Sequence, residues 1–181
     1  WLAGLYEVGD STLSHDLNIR SALGFERQSE LDRVLRINSH SHIIKASDAD
    51  IEWLYDLPVG AQLDSIATDW SQGGKLVVIT RGGEGATLYL NGAKLHAAAP
   101  KITLVDTVGA GDTFMANLLA ELDLLDGLGA DPIARLARLS LGDLQRAAEI
   151  AAVAAGIVCE RKGCEPPTLA ETTARVANQA R

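Results

Sequence analysis

Apolar and polar residues follow two different periods along this chain. Short apolar runs rich in β-branched residues predict strands at 12–17 (TLSHDL), 42–45 (HIIK) and 76–80 (LVVIT). The last run is apolar up to its final residue, which is typical of strands buried on both faces of a parallel sheet. Helical spacing predicts helices at 28–38, 49–57, 59–70, 111–128, 143–158 and 168–180. Pro58, which cannot donate a backbone hydrogen bond, separates the second helix from the third.

A hairpin is predicted between the third strand and the two long helices. Residues 87–90 and 93–96 form short strand-like runs joined by Asn91-Gly92. Asn-Gly favours a two-residue type I′ turn, which suits the twist of paired strands. Strands that alternate with helices indicate an α/β fold.

Composition narrows the class of protein. A chain of 181 residues, 47% of them hydrophobic, is long enough for one globular domain with a real core. The formal net charge of −8 argues against nucleic acid or an anionic membrane as a partner. No apolar run approaches the ~20 residues of a membrane span, and the segment WLAGLYEVGD lacks the basic start of a signal peptide. We therefore expect a cytoplasmic protein.

The two cysteines do not predict a metal site. Cys159 and Cys164 lie five residues apart, without CxxC spacing and without histidines nearby. Reduced, buried thiols are expected of them in a cytosolic protein.

The segment 104–117 (LVDTVGAGDTFMAN) carries the strongest chemical signal. The apolar run 102–105 predicts a strand, Gly109-Ala110-Gly111 follows, and Asp112 stands at the start of a helix. Glycines between a strand and a helix leave backbone N–H groups open to a ligand, and the helix N-terminus adds partial positive charge. This combination predicts an anion cradle.

Asp112 has an unexpected charge for that position, because a carboxylate repels phosphate. Its presence is explained if it accepts a proton from a hydroxyl group that attacks phosphorus. The alternative is a glycine-rich turn in which aspartate is favoured at the helix start. Other phosphate motifs do not match: no third glycine follows Gly111, and residues 81–85 (RGGEG) lack Gly-Lys-Ser/Thr.

The string Asp-Thr-x-Gly-Ala-Gly-Asp-Thr-Phe at 106–114 resembles the C-terminal signature of the ribokinase/fructokinase (PfkB-type) sugar kinases. The resemblance implies that Asp112 is the catalytic base and that Gly109, Ala110 and Gly111 form the anion hole. It implies a ribokinase-like three-layer fold with a mainly parallel central sheet flanked by helices. Because the chain opens on Trp1, we expect 1–181 to be the C-terminal, nucleotide-binding portion of one such domain, without the N-terminal part and lid.

A second motif, Asp16-Leu17-Asn18-Ile19-Arg20, follows the first predicted strand. Alternation places Asp16, Asn18 and Arg20 on one face, at a sheet edge where ligands bind in α/β folds. The motif resembles an Asp-x-Asn-x-Arg element of the family. That resemblance implies that Arg20 contacts a phosphate or sugar substituent while Asn18 and Asp16 orient it. The alternative is a solvated strand end with a surface ion pair.

The remaining site residues also follow from the resemblance. Ser47 and Asp50 stand where the family has Asn-x-x-Glu, which implies a nucleotide contact at Ser47 and magnesium held through water by Asp50; an ordinary helix N-cap is the alternative. For the turn after 76–80 the resemblance implies phosphate contacts at Thr80, Gly82 and Gly85, the alternative being a glycine-rich hairpin turn without a ligand. For the alanine-rich helix it implies an adenine contact at Ala152, the alternative being plain helix packing. Asp106 falls where the family often binds a monovalent cation.

Together these features predict an ATP-dependent sugar kinase, most like a fructokinase, that uses ATP, Mg²⁺ and, at Asp106, K⁺. Two alternatives stay open within the family, a 2-keto-3-deoxygluconate kinase and a ribose kinase. A non-catalytic nucleotide- or sugar-binding regulatory domain is the alternative from another class. The resemblance implies a small-molecule sugar as partner and a homodimer formed through the lid.

Overall fold

The computed structural model describes residues 2–179. The strands are β1 (Ser14–Asp16), β2 (Ile43–Ser47), β3 (Leu76–Thr80), β4 (Ala86–Leu90) and β5 (Ala93–Ala97). The helices are α1 (Leu2–Val8), α2 (Arg27–Ser39), α3 (Asp48–Leu54), α4 (Asp64–Trp70), α5 (Ala110–Leu124), α6 (Pro132–Leu136), α7 (Leu141–Cys159) and α8 (Leu169–Gln179). Single 3₁₀ turns lie at Ser21–Leu23 and Gly82–Glu84.

The five strands form one sheet in the order β1-β2-β3-β4-β5. The first three strands are parallel, whereas β4 runs antiparallel to both β3 and β5. The α/β fold with a central sheet is therefore confirmed, and the antiparallel hairpin forms one edge of that sheet. At the hairpin turn, Asn91 and Gly92 both have positive φ, as the predicted type I′ turn requires.

Helices cover both faces of the sheet and produce two hydrophobic cores. Alternate residues of β2 and β3 point to opposite faces, so Ile43 and Val78 pack against α5 and α7. Ile44 and Ile79 pack on the other face, against α2, α3 and α4. This arrangement is the expected three-layer fold.

Several predicted boundaries were wrong, and each has a local cause. The strand predicted at 12–17 is only Ser14–Asp16, and the strand predicted at 42–45 extends to Ser47. The helix predicted at 59–70 starts only at Asp64, because Gly60 has a positive φ in the preceding turn. Helix α5 stops at Leu124 rather than 128, where Asp126 adopts a left-handed conformation. Helix α6 was missed, and the predicted residue 180 lies outside the described residues.

The segment before the glycine motif is not a strand. Residues 101–104 have no regular secondary structure, and Leu104 and Val105 are exposed. Hydrogen bonds from the N–H groups of Val105 and Asp106 to the carbonyl of Cys159 hold this segment against the end of α7. The apolar run 102–105 therefore marks a loop that crosses α7.

The two thiols differ in burial. Cys159 is buried and Cys164 is exposed, so the expectation of two buried thiols was wrong for Cys164. Both are free cysteines. Within residues 2–179, no helix has the length and apolar character needed to cross a membrane.

Candidate active site

A cavity of about 770 Å³ lies beyond the carboxyl ends of β1, β2 and β3. This volume is in the range of small-molecule sites, and the position is the usual one for ligands in open α/β sheets. Every site residue predicted from sequence except Asp106 lines it: Asp16, Asn18, Arg20, Ser47, Asp50, Thr80, Gly82, Gly85, Gly109, Ala110, Gly111, Asp112 and Ala152.

The N-terminus of α5 forms one end of the cavity. Gly109 precedes the helix in the left-handed conformation, with φ of 80°. Ala110 donates its N–H to the carbonyl of Thr107, whereas the N–H groups of Gly111 and Asp112 have no acceptor among the residues that the structure describes. Free N–H groups in a first helical turn attract anions. The backbone N–H groups of Gly111 and Asp112 are thus the free donors at this helix N-terminus, and Ala110 only lines the cavity.

Both glycines of this turn are needed for space as well as for conformation. A Cβ on Gly109 would overlap Sγ of Cys164. A Cβ on Gly111 would lie 2.8 Å from Nζ of Lys45, closer than carbon and nitrogen normally approach. The glycines therefore let two side chains from distant parts of the chain reach the helix N-terminus.

Asp112 is exposed to the cavity in the first turn of α5, the position predicted for it. A carboxylate at the mouth of an anion cradle is placed to accept a proton from a hydroxyl group that approaches a bound phosphate. The favourable interaction between an acidic side chain and a helix N-terminus supports the same placement.

Lys45 is the functional candidate that sequence reasoning missed. It is 5% exposed in the middle of β2, and its Nζ donates to Oδ1 and Oδ2 of Asp16 at 3.1 and 2.9 Å. The pair forms because Asp16 and Lys45 are register partners in adjacent parallel strands and share a face. Burial raises the pKa of the Asp16 carboxyl, and the charge of Lys45 opposes that rise. A lysine within an otherwise apolar strand was the signal available in the sequence.

The Asp-x-Asn-x-Arg segment is a bent loop rather than an extended strand. Its strand ends at Asp16, and Asn18 has a positive φ of 46°. The predicted alternation was therefore wrong beyond Asp16, although Asn18 and Arg20 still line the cavity. Asp16 pairs with Lys45 rather than orienting Arg20, whose guanidinium has no ion-pair partner within residues 2–179.

Asp50 and Ser47 form a capping box at the start of α3. The Ser47 hydroxyl accepts from the N–H of Asp50 at 3.1 Å, and Oδ2 of Asp50 accepts from the N–H of Ser47 at 2.8 Å. Oδ1 of Asp50 accepts from the N–H of Ile19 at 3.0 Å, which ties the bent loop to this helix. Asp50 thus has a structural role in addition to any contact with a metal through water.

The residues around Thr80 and Ala152, which were predicted to contact the nucleotide, line the same cavity. Thr80 ends β3, and Gly82 begins the 3₁₀ turn beyond it. Ala152 and Gly156 lie one turn apart on α7, and both line the cavity together with Pro100. A Cβ on Gly156 would lie 2.6 Å from Cγ of Pro100, so the lack of a side chain at Gly156 lets Pro100 pack closely against α7.

Asp106 connects two loops outside the cavity wall. Its Oδ1 accepts from the N–H of Val108 at 3.1 Å, and its Oδ2 accepts from the N–H of Gly163 at 2.9 Å. These backbone hydrogen bonds, the one from Val108 first, hold the pKa of the Asp106 carboxyl below its ordinary value. The carboxylate therefore fastens the loop before α5 to the loop after α7.

Asp106→Asn is expected to lower the urea midpoint of unfolding near neutral pH, because one amide oxygen replaces two carboxylate acceptors. The folded-state pKa is lowered, so the stabilisation is present above the ordinary value of 3.8 and is lost as the pH falls through the folded value. The midpoint difference between the two proteins should therefore be largest near neutral pH and shrink in acid.

The exposed Asp10 provides a matched control, because its carboxyl has no partner among residues 2–179. Asp10→Asn should leave the midpoint unchanged across the same pH range. A difference for Asp106→Asn that persists at the acid end would contradict the assignment.

An anion cradle, a carboxylate and two cationic side chains around one cavity are the parts that phosphoryl transfer requires. The pfkB family carbohydrate kinase model matches residues 7–171, and the chain belongs to this family.

Two curated relatives are fructokinases. The chain is 40% identical to a fructokinase of Rhizobium leguminosarum bv. trifolii over 119 residues, which are 65% of this chain and 36% of that protein. It is 33% identical to fructokinase-1 of Zea mays over 112 residues, 61% of this chain and 34% of that protein. The chain spans about a third of the length of these relatives.

Solved structures show the same fold. A fructokinase of Xylella fastidiosa with bound ATP aligns with a TM-score of 0.82 at 19% identity, over 99% of this chain and 56% of that chain. A fructokinase of Vibrio cholerae O395, in a form with fructose, ADP and calcium ion bound, aligns with a TM-score of 0.74 at 25% identity. That alignment covers 96% of this chain and 53% of that chain.

Proposed function

We propose that the protein containing this chain transfers the γ-phosphoryl group of ATP to a hydroxyl group of a small sugar, with fructose as the preferred substrate. The observation that carries the proposal is the meeting of Asp112 with the free N–H groups of α5 in one cavity. Family membership supports a carbohydrate kinase, because the pfkB family model matches nearly the whole chain.

The cavity residues divide into two functional sides. The apolar wall of Ala152, Gly156 and Pro100 has room for a flat base such as adenine. The turn after β3 and the N-terminus of α5 face the same space and supply backbone and helix-dipole contacts for the phosphates. The γ-phosphate would then lie at the α5 cradle, beside Asp112.

Asp112 would accept the proton of the attacking hydroxyl group. An aspartate is a weak base, but in a loose transition state the hydroxyl loses its proton late, so position matters more than basicity. The N–H groups of Gly111 and Asp112 would stabilise the charge that develops on the transferring group. Arg20, which is exposed to the cavity without an ion-pair partner within residues 2–179, is available to an anionic or hydroxyl-rich substrate.

The residues present suit magnesium that arrives with the nucleotide. Within residues 2–179, no group of three or more acidic, histidine or cysteine side chains has the arrangement of a metal site. Magnesium commonly takes one or two carboxylates together with phosphate oxygens and water. Asp50 would contribute through water, since both of its oxygens also accept backbone N–H groups. When bound, the ion neutralises phosphate charge and orients the nucleotide.

Fructose is the preferred sugar for two reasons. The Rhizobium leguminosarum and Zea mays relatives are fructokinases, and the Vibrio cholerae fructokinase of the same fold was solved with fructose bound. The bent Asp16–Arg20 segment, which resembles an element common in fructokinases and 2-keto-3-deoxygluconate kinases, lines the cavity here and is compatible with either sugar.

The proposal is tested by phosphoryl transfer from ATP–magnesium to fructose, ribose, 2-keto-3-deoxygluconate and glucose, using the full-length gene product. We expect turnover of fructose at the highest kcat/KM. Preferential turnover of another sugar would overturn the choice of fructose and keep the kinase. Nucleotide binding without turnover of any sugar would overturn the catalytic proposal and favour a regulatory binding domain.

A further inference from the structure

The Lys45 ammonium is a buried charge for which the reaction described above has no role. Its side chain is 7% exposed and enters the cavity from the floor of the sheet. Burying a charge costs free energy unless partners compensate for it, and a single carboxylate, Asp16, pairs with it here. An ammonium has three N–H donors, of which Asp16 takes at most two.

The position of Nζ relative to α5 indicates what the remaining donor faces. Nζ lies 2.8 Å from the point that a Cβ of Gly111 would occupy, so it rests on the first turn of the helix. A helix N-terminus carries partial positive charge and favours anions over cations. A lysine held there adds to the positive charge that the free N–H groups of Gly111 and Asp112 already provide.

We propose that Lys45 binds the transferring phosphoryl group together with the N-terminus of α5, and that Asp16 is the positioning residue that holds Lys45 there. This inference rests on the proposed kinase function. In this inference Asp16 positions Lys45, and it neither orients Arg20 nor contacts the sugar. Compact ammonium groups are common phosphate ligands because they act as point charges.

The fold explains why these two residues can serve this purpose. Asp16 ends β1 and pairs in register with Lys45 of β2, so both side chains leave the sheet on the same face, toward α5. The hydrogen bond from the N–H of Leu17 to the carbonyl of Lys45, 3.0 Å long, continues this pairing beyond the strand. The sheet thus fixes the Lys45 ammonium beside the N-terminus of α5, where Gly111 has no side chain that would displace it.

The first test is Lys45→Met in the full-length gene product. We expect kcat to fall about 10²- to 10³-fold, the loss typical of removing one donor to a developing charge. The affinity for ADP–magnesium should change less than about threefold, whereas the affinity for ADP–magnesium with aluminium fluoride, which mimics the transferring group, should fall by a factor similar to that of kcat. Lys45→Arg, which keeps the charge, should recover part of the loss.

A purely structural ion pair would behave differently. Lys45→Met would then lower stability while leaving the ratio of the two affinities unchanged, and that result would overturn the proposal, as would a kcat within threefold of the wild type. If turnover is absent in the wild type as well, the kinase proposal fails, and the ratio of affinities still tests Lys45.

Two further variants separate folding from function. Asp16→Asn with Lys45→Met removes the carboxylate that the single variant leaves unpaired, and it should show the same loss of kcat as Lys45→Met alone, because Asp16 acts through Lys45. If the double variant loses more kcat than Lys45→Met alone, Asp16 acts independently of Lys45, and that result would overturn the positioning role of Asp16. Lys75→Met is the matched control: Lys75 is half-buried, donates to the carbonyl of Asn38 at 2.6 Å and does not line the cavity.

Discussion

Asp112→Asn is expected to reduce kcat roughly 10²- to 10⁴-fold, the usual contribution of a positioned general base. Asparagine keeps the size of the side chain but cannot accept the proton of the attacking hydroxyl group. Asp112 is exposed in the first turn of α5 and does not contribute to the core, so the variant should fold. The measurement is phosphoryl transfer to fructose by the full-length gene product, with nucleotide binding followed by calorimetry.

In Asp112→Asn, nucleotide binding should persist although turnover is lost. ATP–magnesium affinity is expected to stay the same or to rise, because the substitution removes a negative charge near the phosphates. Asp123→Asn is the matched control on the same helix, since Asp123 is exposed near the end of α5 and does not line the cavity. Normal turnover in Asp112→Asn, or an equal loss in both variants, would refute the assignment of Asp112 as the base.

The largest effect on stability is expected for Gly85→Ala. Gly85 has φ of 94° and ψ of −139°, a region that is nearly exclusive to glycine. An added Cβ would overlap the carbonyl oxygen of Ala97 and lie 2.7 Å from the nitrogen of Ala99. Both neighbours are backbone atoms, which cannot rotate away. We expect a loss of about 3–5 kcal/mol in the free energy of unfolding, or failure to fold.

Gly83→Ala is the control two residues away. Gly83 has no positive φ, and apart from its chain neighbours no atom of residues 2–179 lies within 4 Å of the point where its Cβ would be. Alanine there should change the free energy of unfolding by less than ~1 kcal/mol, in either direction. Urea unfolding of both variants by circular dichroism measures the difference. Equal stability of the two proteins would show that the turn after β3 has a different backbone from the one described.

Gly85 also shows how one residue can have a second role that its motif does not predict. The sequence resemblance places it at the nucleotide phosphates, and it does line the cavity. The structure adds that β4 can begin beside the end of β5 only without a side chain at this position. Its carbonyl also accepts the N–H of Arg81 at 2.7 Å, which closes the turn.

Elements that local chemistry specifies were predicted well. Strand β3 was predicted to the residue, because its apolar run is bounded by Lys75 and Arg81. The hairpin turn followed from Asn91-Gly92 alone. Helix ends were less accurate: Leu128 continues the apolar pattern of α5 because it packs on the core, although the helix has already ended at Leu124.

The sequence by itself determined the glycine turn before α5, the position of Asp112 in the first turn of that helix and the alternation of strands and helices, because glycine conformation, helix starts and apolar periods are properties of neighbouring residues. Only the tertiary structure decided that Asp16 pairs with Lys45 and that Asp106 joins two loops 57 residues apart. Strand register and loop-to-loop hydrogen bonds bring together residues that are distant in the chain. Local sequence patterns do not specify which distant residues will be neighbours. The position of the Lys45 ammonium beside the N-terminus of α5 therefore follows only from the assembled sheet.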